Sequence, residues 1–305
     1  MSWILSVDIG GTSFKAQAQD DQGSRSTIFQ QETGSTDPEN VLMAIVAHMA
    51  ELNNSLKGDC LGIAGGFPGI VSFDSTILGS PNLPNWQGIN LTTWFLENTQ
   101  CPSIWTNDAN LAAYAELTTP AGLQSINLVM LTLGTGVGAG IILNRSIYCG
   151  SGFAGEAGHI TVDPMGVQCG CGRIGCLETV FSKLGLERAM TQSLGQILPG
   201  GVPELFEAAQ DKQHPQYQKA TDLLRIAFDQ FAVGISNILT LIDPDLLVLA
   251  GGLTGSGDFI LKELKSHLNL RVKYPGYQLP TMVISSFGSQ AGIEGGIALA
   301  SENYL

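Results

Sequence analysis

Apolar positions along this chain change period repeatedly, and each change marks an element. Trp3-Ile-Leu-Ser-Val-Asp-Ile9 is a nearly continuous hydrophobic run that predicts a buried strand. It breaks into Gly10-Gly11-Thr12 and returns as a hairpin from Phe14 to Gln19. From Pro38 to Leu56 the apolar residues Val41, Leu42, Ile45, Met49, Leu52 and Leu56 fall at three- and four-residue steps, so a helix is expected there. Asp37 is its N-cap and Pro38 lies in its first turn. Cys60 to Ala64 reads as a short strand, Gly65 to Gly69 as a Gly/Pro-rich loop, Ser103 to Thr106 as a strand ending at Asn107-Asp108, and Ala109 to Leu117 as a helix.

The pattern then restarts. Asn127 to Leu133 is another buried strand ending in glycine turns, and Leu131-Thr-Leu-Gly-Thr-Gly136 resembles Val7-Asp-Ile-Gly-Gly-Thr12, 124 positions earlier. Two related α/β lobes follow from that repeat. Beyond the cysteine-rich segment the chain is mostly helical. Its clearest helix, Tyr217 to Ile242, carries Leu224, Phe228, Phe231, Ile235, Ile238 and Leu239 on one face and stops at Pro244. Asp245 to Ala250 is a strand breaking into Gly251-Gly252, Gly257 to Leu268 a helix, Thr281 to Ser285 a strand, and Gly292 to Ser301 a last helix. Strands alternating with helices define an α/β fold. The expected division is an N-terminal lobe over 1–120, joined by the C-terminal helix 291–305, and a C-terminal lobe over 121–290, with the break near Thr118 to Gly122.

Composition narrows the class. Only 13% of the 305 residues are charged, about half the usual share, so the chain has a large core to bury. The uncharged stretch from Leu123 to Leu143 is long enough to span a bilayer, but its glycines and threonines read better as two buried strands. The start lacks a basic n-region and reaches an acid at Asp8, so no secretory signal and no membrane association are expected. A net charge of −13 argues against nucleic acid as a partner. Of the six cysteines, three are scattered and three cluster, which is the usage of a reducing cytoplasm.

The cluster carries the most specific chemistry. His159, Cys169, Cys171 and Cys176 place one imidazole and three thiols within eighteen residues, the donor set of a closed tetrahedral zinc site. The alternative is a disulfide with a spare thiol. Gly170, Gly172 and Gly175 let the backbone curl between the cysteines, and Glu156 and Glu178 flank the segment. The Gly-x-Gly-x-x-Gly spacing at 170–175 follows no strand and is no dinucleotide fingerprint.

Three glycine turns, Gly10-Gly11-Thr12, Gly134-Thr135-Gly136 and Gly251-Gly252, each follow a buried strand. One alone is usually a tight turn; three together favour a nucleotide, whose phosphates accept from successive backbone N–H groups. Asp8 is either a turn cap or a carboxylate holding Mg²⁺ through water, and Asp108 is either a helix N-cap or a functional acid.

Asp8-Ile-Gly-Gly-Thr12-x-x-Lys15, Asn107-Asp108, Leu133-Gly-Thr-Gly136, Glu156-Ala-Gly-His159 and Cys169-Gly-Cys-Gly-x-x-Gly-Cys176-x-Glu178 occur in this order. Together they resemble the ROK family (repressors, open reading frames and kinases) over essentially the whole chain. The resemblance implies a two-lobed ribonuclease-H-like fold of the actin and hexokinase type with a zinc-binding loop over 156–178, and ATP-dependent phosphorylation of a hexose, glucose first, with an N-acetylmannosamine, N-acetylglucosamine or fructose kinase, or a non-catalytic sugar-binding regulator, as the alternatives. It implies Asp108 as the base. Gly69, Asn82, Asn107, Glu156, His159 and Glu178 would bind the sugar, and His159, Cys169, Cys171 and Cys176 the structural zinc. Asp8, Gly10, Gly11, Thr12, Lys15, Gly134, Thr135, Gly136, Gly251 and Gly252 would serve ATP and Mg²⁺. A cytoplasmic homodimer is the family-level expectation. The loop Gly62 to Gly69 is slightly longer than the family's usual turn, and no helix-turn-helix domain of the kind in the family's repressors is expected.

Overall fold

The computed structural model describes residues 2–33, 37–56 and 58–305. Its elements run β1 (Ser2–Ile9), β2 (Ser13–Asp20), β3 (Phe29–Glu32), α1 (Pro38–Leu56), β4 (Asp59–Phe67), β5 (Ile70–Val71), β6 (Ile77–Gly79), α2 (Leu91–Thr99), β7 (Ser103–Asn107) and α3 (Asp108–Ala115). They continue with β8 (Leu128–Leu133), β9 (Val137–Leu143), β10 (Ser146–Ile147), α4 (Glu178–Phe181), α5 (Lys183–Leu194), α6 (Gly201–Gln210), α7 (Tyr217–Ile242), β11 (Leu246–Ala250), α8 (Gly257–Arg271), β12 (Thr281–Ile284) and α9 (Ala291–Tyr304).

Two five-stranded sheets repeat one topology. The first is ordered β3-β2-β1-β4-β7 and the second β10-β9-β8-β11-β12. In each, a strand–turn–strand start is followed by two parallel strands added on the other side, so the resemblance between residues 7–12 and 131–136 reflects corresponding positions in two sheets. By internal contacts the chain forms two compact units: Met1–Ser125 with Gly140–Gly155 and Phe287–Leu305, and Ile126–Ala139 with Glu156–Ser286. The segment 140–155 therefore lies with the first unit, where the sequence alone assigned it to the second lobe.

The first unit's core is built on β1, whose Trp3, Leu5, Val7 and Ile9 are fully buried against Phe14, Ile45, Phe67 and Trp105. Asp37 accepts from the Glu39 N–H at 3.1 Å, as the capping pattern before Pro38 predicts. Two boundaries differ from expectation. β4 runs on through Gly65, Gly66 and Phe67 rather than turning into a loop, because the Trp105 ring occupies the place of a Gly65 side chain. α3 ends at Ala115, and Glu116–Thr118 tighten into a 3-10 turn.

In the second unit α7 is long and apolar enough to cross a membrane. Its stripe of Leu224, Phe228, Phe231, Ile235, Ile238 and Leu239 is buried, however, and Phe231 stacks on Phe181 at 4.1 Å. It is a core helix. It ends at Asp243 in the left-handed conformation, just before Pro244.

Candidate active site

In the first unit the parallel strands β1, β4 and β7 deliver their C-terminal ends side by side, the edge where ligands bind in open α/β sheets. Asp8 pairs in register with Gly66, and Phe67 with Asn107. Gly66 leaves room at this edge: a Cβ there would stand 3.3 Å from Asp108 Cα and 3.6 Å from Asp8 Oδ1. Asn107 caps α3 by accepting from Ala109 and Asn110 N–H and donates from Nδ2 to Gly69 O at 3.0 Å. The cap is thus Asn107, and Asp108 is the first helical residue, its Oδ1 accepting from the Ala109 N–H at 2.8 Å.

The Gly10–Thr12 turn is fastened from behind. Gly10 N–H bonds Ser13 O at 2.9 Å, and Thr33 of the β3 end donates its hydroxyl to Gly10 O at 2.7 Å. Asn82, exposed, packs on Gly11, where a Cβ would meet Asn82 Cβ at 3.2 Å. Burial holds Asp8 above the ordinary carboxylate range, against the opposing pull of Lys15, whose ammonium donates to Ser289 O at 3.0 Å. Sequence reasoning missed Gly292: a Cβ there would lie 2.5 Å from the Asp8 carboxylate, so this glycine lets α9 reach the edge of the site. The Gly292, Gly295, Gly296 spacing along one helix face was the available signal.

In the second unit, β8 ends at the Gly134–Gly136 turn and β11 at Gly251, which adopts a positive φ of 94° close against Leu133. The glycines fall into two groups. Gly136 and Gly251 are dictated by the chain itself, since a Cβ would strike Glu178 and the Leu133 backbone. Around Gly134 and Gly252 nothing of the protein lies within 4 Å of an added Cβ. Glu178 Oε2 accepts from the Val137 N–H at 2.9 Å, tying the turn to the cysteine loop. Thr135 sits between the two glycines, exposed.

His159, Cys169, Cys171 and Cys176 converge, with their ligand atoms all within 4.8 Å of one another. Cys169 Sγ lies 3.6 Å from His159 Nδ1, and Cys171 Sγ lies 3.6 Å from Cys176 Sγ. A zinc tetrahedron with bonds of about 2.3 Å to sulfur has edges of about 3.8 Å, so the donor set fits that ion. All six cysteines are free thiols. Burial and the neighbouring thiols push Cys176 up to about 12 and raise Cys169, while the Arg173 N–H lowers Cys171. Thiols so close hold their protons against one another, which a divalent cation relieves by pairing with thiolates. Gly172 and Gly175 take positive φ, and Gly175 passes so near Asp163 that no side chain fits. Gly170, by contrast, has ordinary φ and open space, so the tight curl rests on two glycines and not three. His159 Nε2 faces Glu156 at 3.8 Å while Nδ1 faces the thiols, so one imidazole bridges the thiol cluster and the Glu156 carboxylate.

The first unit thus carries Asp8 and Asp108 at its parallel strand ends, and the second carries open glycine turns at Gly134 and Gly252 and a four-donor cluster that fits a divalent cation. A model of the ROK family matches residues 4–303, and the chain belongs to that family. It is 33% identical over 323 residues to a glucokinase of Halalkalibacterium halodurans, covering 96% of this chain and 93% of that one. It resembles the ROK hexokinase of Thermus thermophilus with a TM-score of 0.81 at 27% identity over 99% of both chains. A ROK family glucokinase of Streptomyces griseus in complex with glucose and AMPPNP gives 0.72 at 28% identity, covering 98% of this chain and 99% of that chain.

Proposed function

We propose that this protein is an ATP-dependent sugar kinase that converts glucose to glucose 6-phosphate. The observation that carries the reading is Asp108 at the C-terminal strand edge of the first unit, beside Asp8 and Gly66, with the helix cap supplied by Asn107 instead. At that edge the Asp108 carboxylate takes the proton of the attacking sugar hydroxyl, a role worth about 10²- to 10⁴-fold in rate. Gly69, Asn82, Asn107, Glu156, His159 and Glu178 bind the remaining hydroxyls. Gly10, Gly11, Thr12, Gly134, Thr135 and Gly136 offer N–H groups to the phosphates, Gly251 and Gly252 border the adenosine, and Asp8 with Lys15 steadies Mg²⁺ and phosphate charge. His159, Cys169, Cys171 and Cys176 hold a structural zinc, which fixes the loop that aims Glu156 and His159. The kinase names and the glucose complex among its relatives support this reading. In the same reading the enzyme works in the cytoplasm as a homodimer.

A coupled ADP-release assay across glucose, fructose, mannose and the N-acetylated hexosamines tests the substrate. Glucose is expected to give the highest kcat/KM. Preference for an acetamido sugar would move the assignment to that kinase activity, and no ADP release with any sugar, despite sugar binding, would make the protein a sugar-sensing regulator. In the same assay Asp108→Asn should lower kcat at least about a hundredfold while the sugar KM changes little. Near-normal turnover would leave Glu156 as the base to examine.

A further inference from the structure

Away from the glycine turns and the four-donor loop, the first unit holds a second pair of sulfurs. Cys60, near the start of β4 and partly exposed, has its Sγ 3.2 Å from Sγ of Cys101, which is 3% exposed just before β7. The neighbouring register is fixed: Ile63 pairs with Ser103, and Ile63 N–H bonds Pro102 O at 2.9 Å. The backbone thus brings the two thiols together, at the end of the strands opposite Gly66 and Asp108. A disulfide is about 2.05 Å long, so the sulfurs need approach by only about 1.1 Å.

We propose that Cys60 and Cys101 are an oxidation site that closes to an intramolecular disulfide when the protein meets hydrogen peroxide. One sulfur, as thiolate, attacks a peroxide oxygen; the O–O bond breaks, leaving a sulfenic acid and, after protonation, water. The second sulfur attacks the sulfenic sulfur, the S–S bond forms, and the sulfenic oxygen departs as a second water with the remaining thiol proton. Two thiols lose two electrons and the peroxide gains them. The hydrogen bond between the sulfurs lowers the Cys101 thiol and, with burial, raises the Cys60 thiol, so the thiolate of the pair falls on Cys101 and Cys60 is the thiol that resolves its sulfenic acid. Partial exposure of Cys60 gives a small peroxide access, and the adjacent second thiol intercepts the sulfenic acid before it is oxidised further. The linkage ties β4 to β7 across 41 positions of chain, which constrains the unfolded state and leaves the catalytic edge untouched.

The test treats the full-length protein with hydrogen peroxide, blocks residual thiols by alkylation and maps the peptides by mass. The Cys60 and Cys101 peptides should emerge linked, two hydrogens lighter, and separate again with dithiothreitol. The oxidised protein should melt several degrees higher, and Cys101→Ser should abolish both the link and the rise while the reduced variant keeps its kinase turnover. Separately alkylated Cys60 and Cys101 in protein oxidised at other cysteines would overturn the proposal. So would sulfinic acid accumulating on Cys101 as fast in the wild type as in Cys60→Ser.

Discussion

Single residues at the strand ends separate what the chain needs from what a ligand needs. Gly251 must be glycine for the protein's own packing, and a Cβ at Gly136 would push the Glu178 carboxylate off the Val137 N–H, so their substitution would report on the protein's own structure as much as on binding. Gly134 is different: an added Cβ there has no protein atom within 4 Å. Gly134→Val should therefore fold with little change in melting temperature yet lose ATP affinity at least about tenfold, measured by titration calorimetry, because branched carbon would fill space reserved for phosphate oxygens. Unchanged affinity would remove this turn from the nucleotide site. Asp8 makes the complementary case. Its carboxyl is held above the ordinary range by burial, so the folded protein disfavours the charged form. Its contribution to stability is present at acid pH and is lost as pH rises through the folded-state value. Asp8→Asn should then melt higher than wild type near pH 7, with the advantage shrinking toward pH 4, while turnover falls and the magnesium requirement rises. Thermal scans across that range decide it; a variant less stable than wild type at pH 7 would show that the pull of Lys15 outweighs burial.

Among the elements, the most legible were those with the longest unbroken pattern. α1 and α7 were expected over the residues they occupy, because three- and four-residue apolar spacing sustained over five or more turns has no competing reading. β4 was cut short at Ala64 because Gly65 and Gly66 look like a turn in sequence, and only the packing of Trp105 over one and Asp8 with Asp108 beside the other makes them strand. β3, β5 and β6 are two to four residues long and carry too little periodicity to be read. The donor cluster was legible because its four residues are close in sequence, whereas the part played by Gly292 depends on α9 returning across the first sheet from the far end of the chain. The loop between His159 and Glu178 has almost no regular structure, only the isolated bridges Thr161 to Cys176 and Gln168 to Ile174. Its order should come from the ion. Purified protein should contain about one zinc per chain, and Cys171→Ser, removing the most exposed ligand, should lower both zinc content and sugar affinity while the sheets persist by circular dichroism. Full sugar affinity in zinc-free protein would separate the loop from the site.

Across the whole molecule, two sheets of one topology each present glycine turns at parallel strand ends, and the repeat detected at residues 7–12 and 131–136 is the trace of that architecture in the sequence. With 44% hydrophobic residues and 13% charged ones, the chain commits much of its sequence to two cores and leaves chemistry to few positions. Those positions are expected to act on different steps, and ligand-linked stability can tell them apart. A sugar bound only to the folded protein at a hundredfold above its Kd adds about 2.7 kcal/mol, a rise of about 5 °C in melting temperature for a chain of this size. Glucose should produce that rise in the wild type and in Asp108→Asn, because the carboxylate contributes to proton transfer more than to binding. The rise should shrink in Cys171→Ser, whose loop no longer aims Glu156 and His159, and stay intact in Gly134→Val, whose defect lies with the nucleotide. Loss of the glucose shift in Asp108→Asn would make Asp108 a sugar-binding residue first and return the search for the base to Glu156.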